Sequence, residues 1–317
     1  MAKNMEAFII KEFGGYEVLN KEKVKIPNDI KENEILIKLS AASYNPSDKK
    51  VREGAFKKVT PINDYRIIGF DFSGEIIKIG ENIKNYKISD KVFGYQSIKS
   101  NGSYGEYLKT KANNICLSPK NISLEDSAAL SVAGTASYKS FLSLDLAKHK
   151  NILINGVSGG VGTYLLQILK IENPNIQVTG TASERSFKLI EQLNIDKIID
   201  YTKVNIYDSY NEKYDAVINL VELTDNNINK LLGLIKENGI LISTTNKPSK
   251  ELIKEKNLKF ESVFANPDKK ILEELKYLVE RKGLKPIITS TYNFDEIKEV
   301  HKNEEQKASN GKLLIKY

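Results

Sequence analysis

The sequence predicts an α/β chain in which a β-rich domain is interrupted by an inserted, doubly wound parallel α/β domain. Three observations carry that expectation. Short strand-like runs separated by turns fill the chain up to Ser118. From Ser123 onward apolar runs alternate with amphipathic ones, the signature of crossover units and a helix-covered parallel sheet. After Asn266 the texture returns to that of the head. The expected boundaries are therefore 1–118 with 266–317 for the β-rich domain, and 119–265 for the insert.

In the head, Ala7–Lys11, Glu34–Ala42, Ile67–Ile79 and Lys91–Tyr95 read as strands. Gly14-Gly15, Asn45-Pro46, Gly54, Gly80 and Asn101-Gly102 punctuate them. Ser123-Leu-Glu-Asp126 is a capped helix start ahead of the small-residue run Ala128–Ala136. Strands are then expected at Ile152–Asn155, Ile176–Thr181, Lys197–Ile199, Ala216–Leu220 and Ile240–Ser243. Helices are expected at Thr163–Ile171, Phe187–Leu193 and Ile228–Lys236. A long amphipathic helix ends near Lys282, and Ile287–Thr291 and Leu313–Tyr317 close the chain as strands.

Composition narrows the function classes. The 317 residues suit two domains, and 40% apolar with 28% charged residues is an ordinary globular balance. Lys and Arg number 48 against 41 Asp and Glu, a formal net charge of +7. Arginine stands only at Arg52, Arg66, Arg185 and Arg281, and the lysines are scattered among acidic residues, so this is a solvated lysine-rich surface and no nucleic-acid partner is expected. No run approaches the roughly 18 apolar residues of a membrane span, and the start has too short an apolar run for a signal peptide. Cytoplasm is the expected location. Only His149, His301 and Cys116 are available as soft ligands, which excludes a structural disulfide and a four-cysteine zinc lobe. Both histidines are expected at the surface.

The sharpest motif is Asn151-Ile-Leu-Ile-Asn-Gly156-Val-Ser158-Gly159-Gly160-Val161-Gly162, an apolar strand running through a glycine turn into a helix. A pyrophosphate must approach the backbone closely, which Cβ atoms would block, and must meet free N–H groups at the helix start. The spacing departs from the commoner G-x-G-x-x-G, but strand, turn and helix together point to a dinucleotide. The next strand ends in Thr181-Ala-Ser183-Glu184-Arg185. No carboxylate stands at its tip to take both ribose hydroxyls, and Ser183 with Arg185 could receive a 2′-phosphate. That favours NADPH; Glu184, shifted by a residue or two, would favour NADH. Ser243 and Thr244 end a later strand, where ligands gather in such sheets.

With these residues in hand, the chain resembles the medium-chain dehydrogenase/reductase superfamily, specifically its zinc-free quinone-oxidoreductase-like branch. The similarity runs end to end. Tyr44-Asn45-Pro46-Ser47-Asp48 with Arg52-Glu-Gly54 looks like that branch's Asn-Pro-x-Asp…Arg-x-Gly segment. Gly69-Phe70-Asp71 with Gly74 and Gly80, Asp90–Gly94, Gly102–Tyr107 and Val132-Ala-Gly134-Thr135 follow in register. Gly156–Gly162 matches the branch's own spacing, and Ala308-Ser-Asn-Gly311-Lys312 resembles the closing Gly-Lys. Where zinc alcohol dehydrogenases carry a ligand cysteine and Gly-His-Glu, this chain has Asn45 and Gly69-Phe70-Asp71.

The resemblance implies a GroES-like substrate domain and a Rossmann-type nucleotide domain. It also implies hydride transfer from NADPH to a quinone or an α,β-unsaturated carbonyl without metal. By the same resemblance Tyr44 and Asn45 are candidate donors to the substrate oxygen, with Ser47 a weaker one. Asn45 and Thr135 would lie at the nicotinamide, and Tyr201 over the adenine or phosphate. A homodimer through the nucleotide domain's sheet edge is expected. The competing readings are reduction of another carbonyl substrate, and an NADPH-binding protein with a non-enzymatic, RNA-associated or structural role.

Overall fold

The computed structural model describes residues 3–208, 211–306 and 309–317; Ala308, in the closing landmark, lies outside them. In the head, β1 (Asn4–Ile10), β2 (Asn20–Lys25) and β3 (Glu34–Tyr44) lead to the short helix α1 (Pro46–Arg52). Then come β4 (Arg66–Ile67), β5 (Asp71–Ile79), β6 (Lys91–Tyr95), β7 (Tyr107–Lys111) and β8 (Ile115–Leu117), followed by α2 (Leu124–Ser127) and α3 (Ser131–Leu142). The insert runs β9 (Asn151–Asn155), α4 (Gly160–Glu172), β10 (Gln177–Ala182), α5 (Phe187–Glu191), β11 (Lys197–Asp200), β12 (Tyr214–Asn219), α6 (Asp225–Leu231), β13 (Ile235–Ser243), α7 (Lys250–Glu255) and β14 (Lys259–Ser262). The tail is α8 (Lys269–Lys282), β15 (Ile288–Asn293), α9 (Ile297–Gln306) and β16 (Lys312–Lys316).

The chain divides into two compact units, Met1–Thr135 with Asn266–Tyr317, and Ala136–Ala265. The segment 119–135, expected with the insert, belongs with the β-rich unit instead. Ala128 packs there against Ala41 and Leu314, and the Val132 N–H donates to Asp71 Oδ1 at 2.8 Å. The small size of the residues in the run Ala128–Ala136 lets the backbone lie close against the head.

Among the described residues the β-rich unit holds a sheet ordered β15-β16-β3-β5-β6-β8, with β7 also on β3, and a second sheet ordered β2-β1-β4. The last strand thus returns antiparallel to β3, placing Leu313 opposite Tyr44. The insert is a parallel sheet ordered β11-β10-β9-β12-β13-β14. Its central strands are apolar on both faces, as Ile152, Leu153 and Ile154 are all fully buried, because helices cover both sides. On α4 the residues Leu165, Leu166, Ile168 and Leu169 are buried. The helix expected over Ile228–Lys236 ends early, since Ile235 already pairs with Tyr214 as the first residue of β13.

The helix α8 shows how local chemistry fixes an element. Asp268 caps its start by accepting the N–H groups of Lys270 and Ile271, and Gly283 ends it at φ +80°. Between them Ile271, Leu272, Leu275, Leu278 and Val279 form the buried stripe. No helix of the described residues is long and apolar enough to cross a membrane.

Candidate active site

The glycine turn lies between β9 and α4. Gly156 has φ +90°, a conformation side chains disfavour, and a Cβ there would meet Val221 at 2.7 Å. A Cβ on Gly162 would fall 2.5 Å from the Val157 carbonyl oxygen and 2.6 Å from that of Gly156, so this glycine lets helix and turn touch. Gly159 differs. It caps α4 with φ −76° and ψ 172°, and the nearest atom to a methyl group placed on it would be the Gly156 oxygen at 3.7 Å. Its backbone tolerates a side chain, and the space beside it is open. The first-turn N–H groups of Gly160, Val161 and Gly162 have no acceptor within the helix, and the helix dipole adds positive potential there. Ser158 is half-buried beside them.

A buried hydrogen-bonded row braces this turn across the C-terminal ends of four strands. Thr181 Oγ1 accepts the Gly156 N–H at 2.8 Å and donates to Asn155 Oδ1 at 2.8 Å. Asn155 Nδ2 donates to Asn219 Oδ1 at 2.9 Å. Asn219 Nδ2 in turn reaches Thr245 Oγ1 at 3.0 Å, with Ser243 Oγ at 3.4 Å. Thr181, named from sequence as ligand-binding, bonds the turn directly, whereas Ser243, named likewise, stands at the far end of the row and accepts from Asn219. Asn155 and Asn219 were missed by sequence reasoning. Their signal was a polar residue ending an otherwise apolar strand, Ile152–Asn155 and Ala216–Asn219.

At the tip of β10, Ser183 is half-buried and Arg185 exposed. Glu184 is exposed as well, and its carboxylate pairs with Lys203 at 3.1 Å. Lys203 also lies 3.4 Å from Asp200, at the end of β11. Tyr201 is 54% exposed beside them, its N–H donating to the Ala182 carbonyl.

The β-rich unit presents a second, different cluster. Asn45 adopts extended backbone and caps α1, Pro46 starts the helix, and Asp48 Oδ2 accepts the Asn45 N–H at 2.8 Å. The Asn45 side chain is 3% exposed. Its Oδ1 accepts from Lys312 Nζ at 2.7 Å, while Nδ2 donates to Asp71 Oδ2 at 2.9 Å and to the Ser43 carbonyl at 3.3 Å. Both amide hydrogens are committed, so Asn45 has none to offer a substrate oxygen. Tyr44, the other expected donor, is packed in the core with its ring edge-on to His301 at 5.0 Å, and burial pushes its phenol pKa up. Ser47, the weaker candidate, is the half-buried one of the three and its hydroxyl has no partner among the described residues. Thr135 is fully buried one turn along α3 from Val132.

Beyond Asp48 a directional chain crosses this unit's interior. Arg52 Nη1 lies 3.2 Å from His301 Nδ1; the guanidinium can only donate, so Nδ1 accepts and Nε2 carries the proton. Nε2 then donates to the Tyr104 hydroxyl at 3.3 Å, which donates to Asp48 Oδ2 at 3.3 Å. His301, expected at the surface, is fully buried, because α9 turns it inward with Ile297 and Val300. His149, also expected at the surface, is only 9% exposed, its Nδ1 accepting the Asp145 N–H.

The chain sets a pH window for stability. Burial, with the Asp71 charge, raises the Asp48 pKa to about 8, so the folded protein holds a proton that the unfolded chain has released above the ordinary 3.8. Burial and Arg52 lower the His301 pKa to about 3 from 6.5, so below 6.5 the unfolded chain takes up a proton that the folded one refuses. Between about pH 4 and 6.5 the two slopes oppose each other; from 6.5 to 8 only Asp48 acts, and stability falls as pH rises, by roughly 2 kcal/mol. Urea unfolding at pH 6.5 and 8 reads this directly. Asp48→Asn should flatten the slope, and a natural protein equally stable at both pH values would refute it.

Zinc does not fit these side chains. Both Asp71 oxygens are engaged, His301 Nδ1 faces a guanidinium, and burial raises the Cys116 pKa to about 11. Among the described residues no group of three or more His, Cys, Asp or Glu could hold a metal ion.

Two family models match the chain: an alcohol dehydrogenase GroES-like domain over residues 31–145, and a zinc-binding dehydrogenase over residues 193–315. An NADPH-dependent alkenal/one oxidoreductase of Arabidopsis thaliana is 30% identical over 99% of this chain and 80% of its own length. A 2-methylene-furan-3-one reductase of Solanum lycopersicum is 30% identical over 98% of this chain and 79% of its own. Among solved structures, a quinone oxidoreductase from Coxiella burnetii superposes with a TM-score of 0.91 at 27% identity, covering 99% of this chain and 100% of that one.

Proposed function

Because the chain belongs to the medium-chain dehydrogenase/reductase superfamily, in its quinone-oxidoreductase-like branch, we propose that it is an NADPH-dependent reductase of α,β-unsaturated carbonyls or quinones that works without metal. The observation that carries this reading is the Cβ-free cradle at Gly159, which opens onto the α4 N-terminus at the C-terminal edge of the parallel sheet. The residues present fit a dinucleotide. The N–H groups of Gly160 to Gly162, with Ser158, would hold the pyrophosphate. Ser183 and Arg185 would take the 2′-phosphate, and Tyr201 would lie over the adenine. No carboxylate ends β10 itself, and Glu184 is turned to Lys203, which supports NADPH over NADH.

Bound there, NADPH would supply a hydride to the β-carbon of an enone or to a quinone. An enolate or hydroquinone anion is less basic than an alkoxide, so neutral donors suffice to stabilise it. Ser47 is the donor this chain offers, and solvent supplies the remaining proton at the α-carbon. Thr135 would meet the nicotinamide, on a helix start fixed by Asp71. The exposed edge strand β14 supports a homodimer, and the single buried cysteine suits the reducing cytoplasm.

Turnover tests the reading: NADPH oxidation is expected with an alk-2-enal or a quinone, and saturable NADPH binding without oxidation by either acceptor would overturn it. Cofactor choice is tested separately. Arg185→Ala should weaken NADPH binding roughly tenfold, about 1.4 kcal/mol, and NADH binding little; equal losses would overturn the preference.

A further inference from the structure

Lys312 sits at the start of β16, 3% exposed, and its ammonium is saturated. Its three protons meet three acceptors: Asn45 Oδ1 at 2.7 Å, the Tyr44 carbonyl at 2.9 Å and Asp71 Oδ2 at 3.0 Å. Asp71, fully buried, spends Oδ2 on Lys312 and Asn45 and Oδ1 on the Val132 N–H. Every polar hydrogen of the Lys312 and Asn45 side chains is thus accounted for inside the cluster. None of these side chains can act by donating to a substrate oxygen. What they do is join four segments at one point: the end of β3, the Asn-Pro turn into α1, the start of β5, and the second residue of α3.

Two groups that the proposed reaction uses stand on those segments. Ser47 follows Pro46 directly on the turn. Thr135 follows Val132 by one helical turn, and the Val132 N–H is what Asp71 holds. Resting on the reading under Proposed function, we propose that Lys312 is a positioning residue for hydride transfer: through Asn45 and Asp71 it fixes the Asn-Pro turn and the α3 start in one geometry. The tetrahedral ammonium matches three acceptors in different directions, which a planar guanidinium cannot reproduce. Lys312→Arg should therefore fail to substitute.

A purely structural role would give a different signature from a positioning one, and a paired variant separates them. Lys312→Met leaves Asp71 buried without its cation and should lower the melting temperature. Lys312→Met with Asp71→Asn removes that uncompensated charge while keeping an acceptor for the Val132 N–H, so its stability should return toward that of the natural protein. The experiment measures melting temperature, NADPH Kd, kcat and KM for the natural protein, Lys312→Arg and the double variant, with one enone. The expected result for the double variant is kcat lowered tenfold or more, with NADPH Kd within about threefold, because the glycine turn lies in the other unit. Lys312→Arg should likewise be folded and slow. A folded double variant, or a folded Lys312→Arg, with kcat within twofold of the natural protein would overturn the proposal and leave the reductase reading standing. A natural protein that reduces no acceptor would remove both.

Discussion

Gly159→Ala should leave the fold and its melting temperature unchanged while weakening NADPH binding by roughly a hundredfold, about 2.7 kcal/mol. The backbone at Gly159 already has φ −76°, which alanine adopts freely, and no protein atom lies nearer than 3.7 Å to the new methyl group. The methyl would instead occupy the space through which a pyrophosphate reaches the α4 N–H groups. Gly162→Ala is the control with opposite logic. Its methyl would press on two backbone carbonyl oxygens at 2.5 and 2.6 Å, so it should cost about 1–3 kcal/mol of stability as well as binding. Fluorescence titration with NADPH beside thermal unfolding separates the two. If Gly159→Ala bound NADPH as tightly as the natural protein, the pyrophosphate could not lie at this turn.

Arg52→Met should destabilise the β-rich unit by about 3–5 kcal/mol while sparing the glycine turn. The guanidinium is fully buried, and each edge is used. Nε donates to the Gly14 carbonyl at 3.2 Å, Nη1 to His301 Nδ1 at 3.2 Å, and Nη2 to the Glu305 carboxylate. Methionine fills comparable volume but strands a buried acceptor on His301 and leaves Glu305, with its side chain 24% exposed, facing an apolar group. The tautomer of His301 would no longer be fixed, and the donor chain to Asp48 would lose its direction. Denaturant unfolding followed by tyrosine fluorescence would measure the loss, and NADPH affinity measured below the transition should stay within about threefold. A stability change under 1 kcal/mol would mean that the chain from Arg52 to Asp48 holds little together.

The glycine turn was legible because its requirements are local. A strand, a Cβ-free turn and a helix start are all set by residues adjacent in sequence, and Gly156–Gly162 stands where the pattern places it. The alternation of apolar and amphipathic runs likewise disclosed the parallel sheet. The cluster around Asn45 was not legible in the same way. Asn45 and Tyr44 were candidate donors through the resemblance, and nothing nearby in sequence signals that their side chains are occupied. Their partners come from far along the chain, Asp71 on β5 and Lys312 and His301 in the tail; the pairing of β3 with β5 and with β16 brings Asp71 and Lys312 to Asn45, and α9 brings His301 to Tyr44. His301 illustrates the same limit. A lone histidine in a lysine- and glutamate-rich helix reads as exposed, yet the helix face it occupies is the inward one. Asp71 and Lys312 were visible as recurring landmarks, but their ion pair had no local signal.

At the centre stands hydride transfer to an electron-poor acceptor from NADPH whose pyrophosphate lies at the α4 N-terminus. It is tested most directly by isotope placement: an enone is incubated with the protein and NADPH carrying deuterium at the transferred position, and the product is read by NMR. The product should carry one deuterium on the β-carbon, with an unlabelled proton from solvent at the α-carbon. Recovery of unchanged enone, or a saturated product whose β-carbon carries only solvent hydrogen, would contradict it.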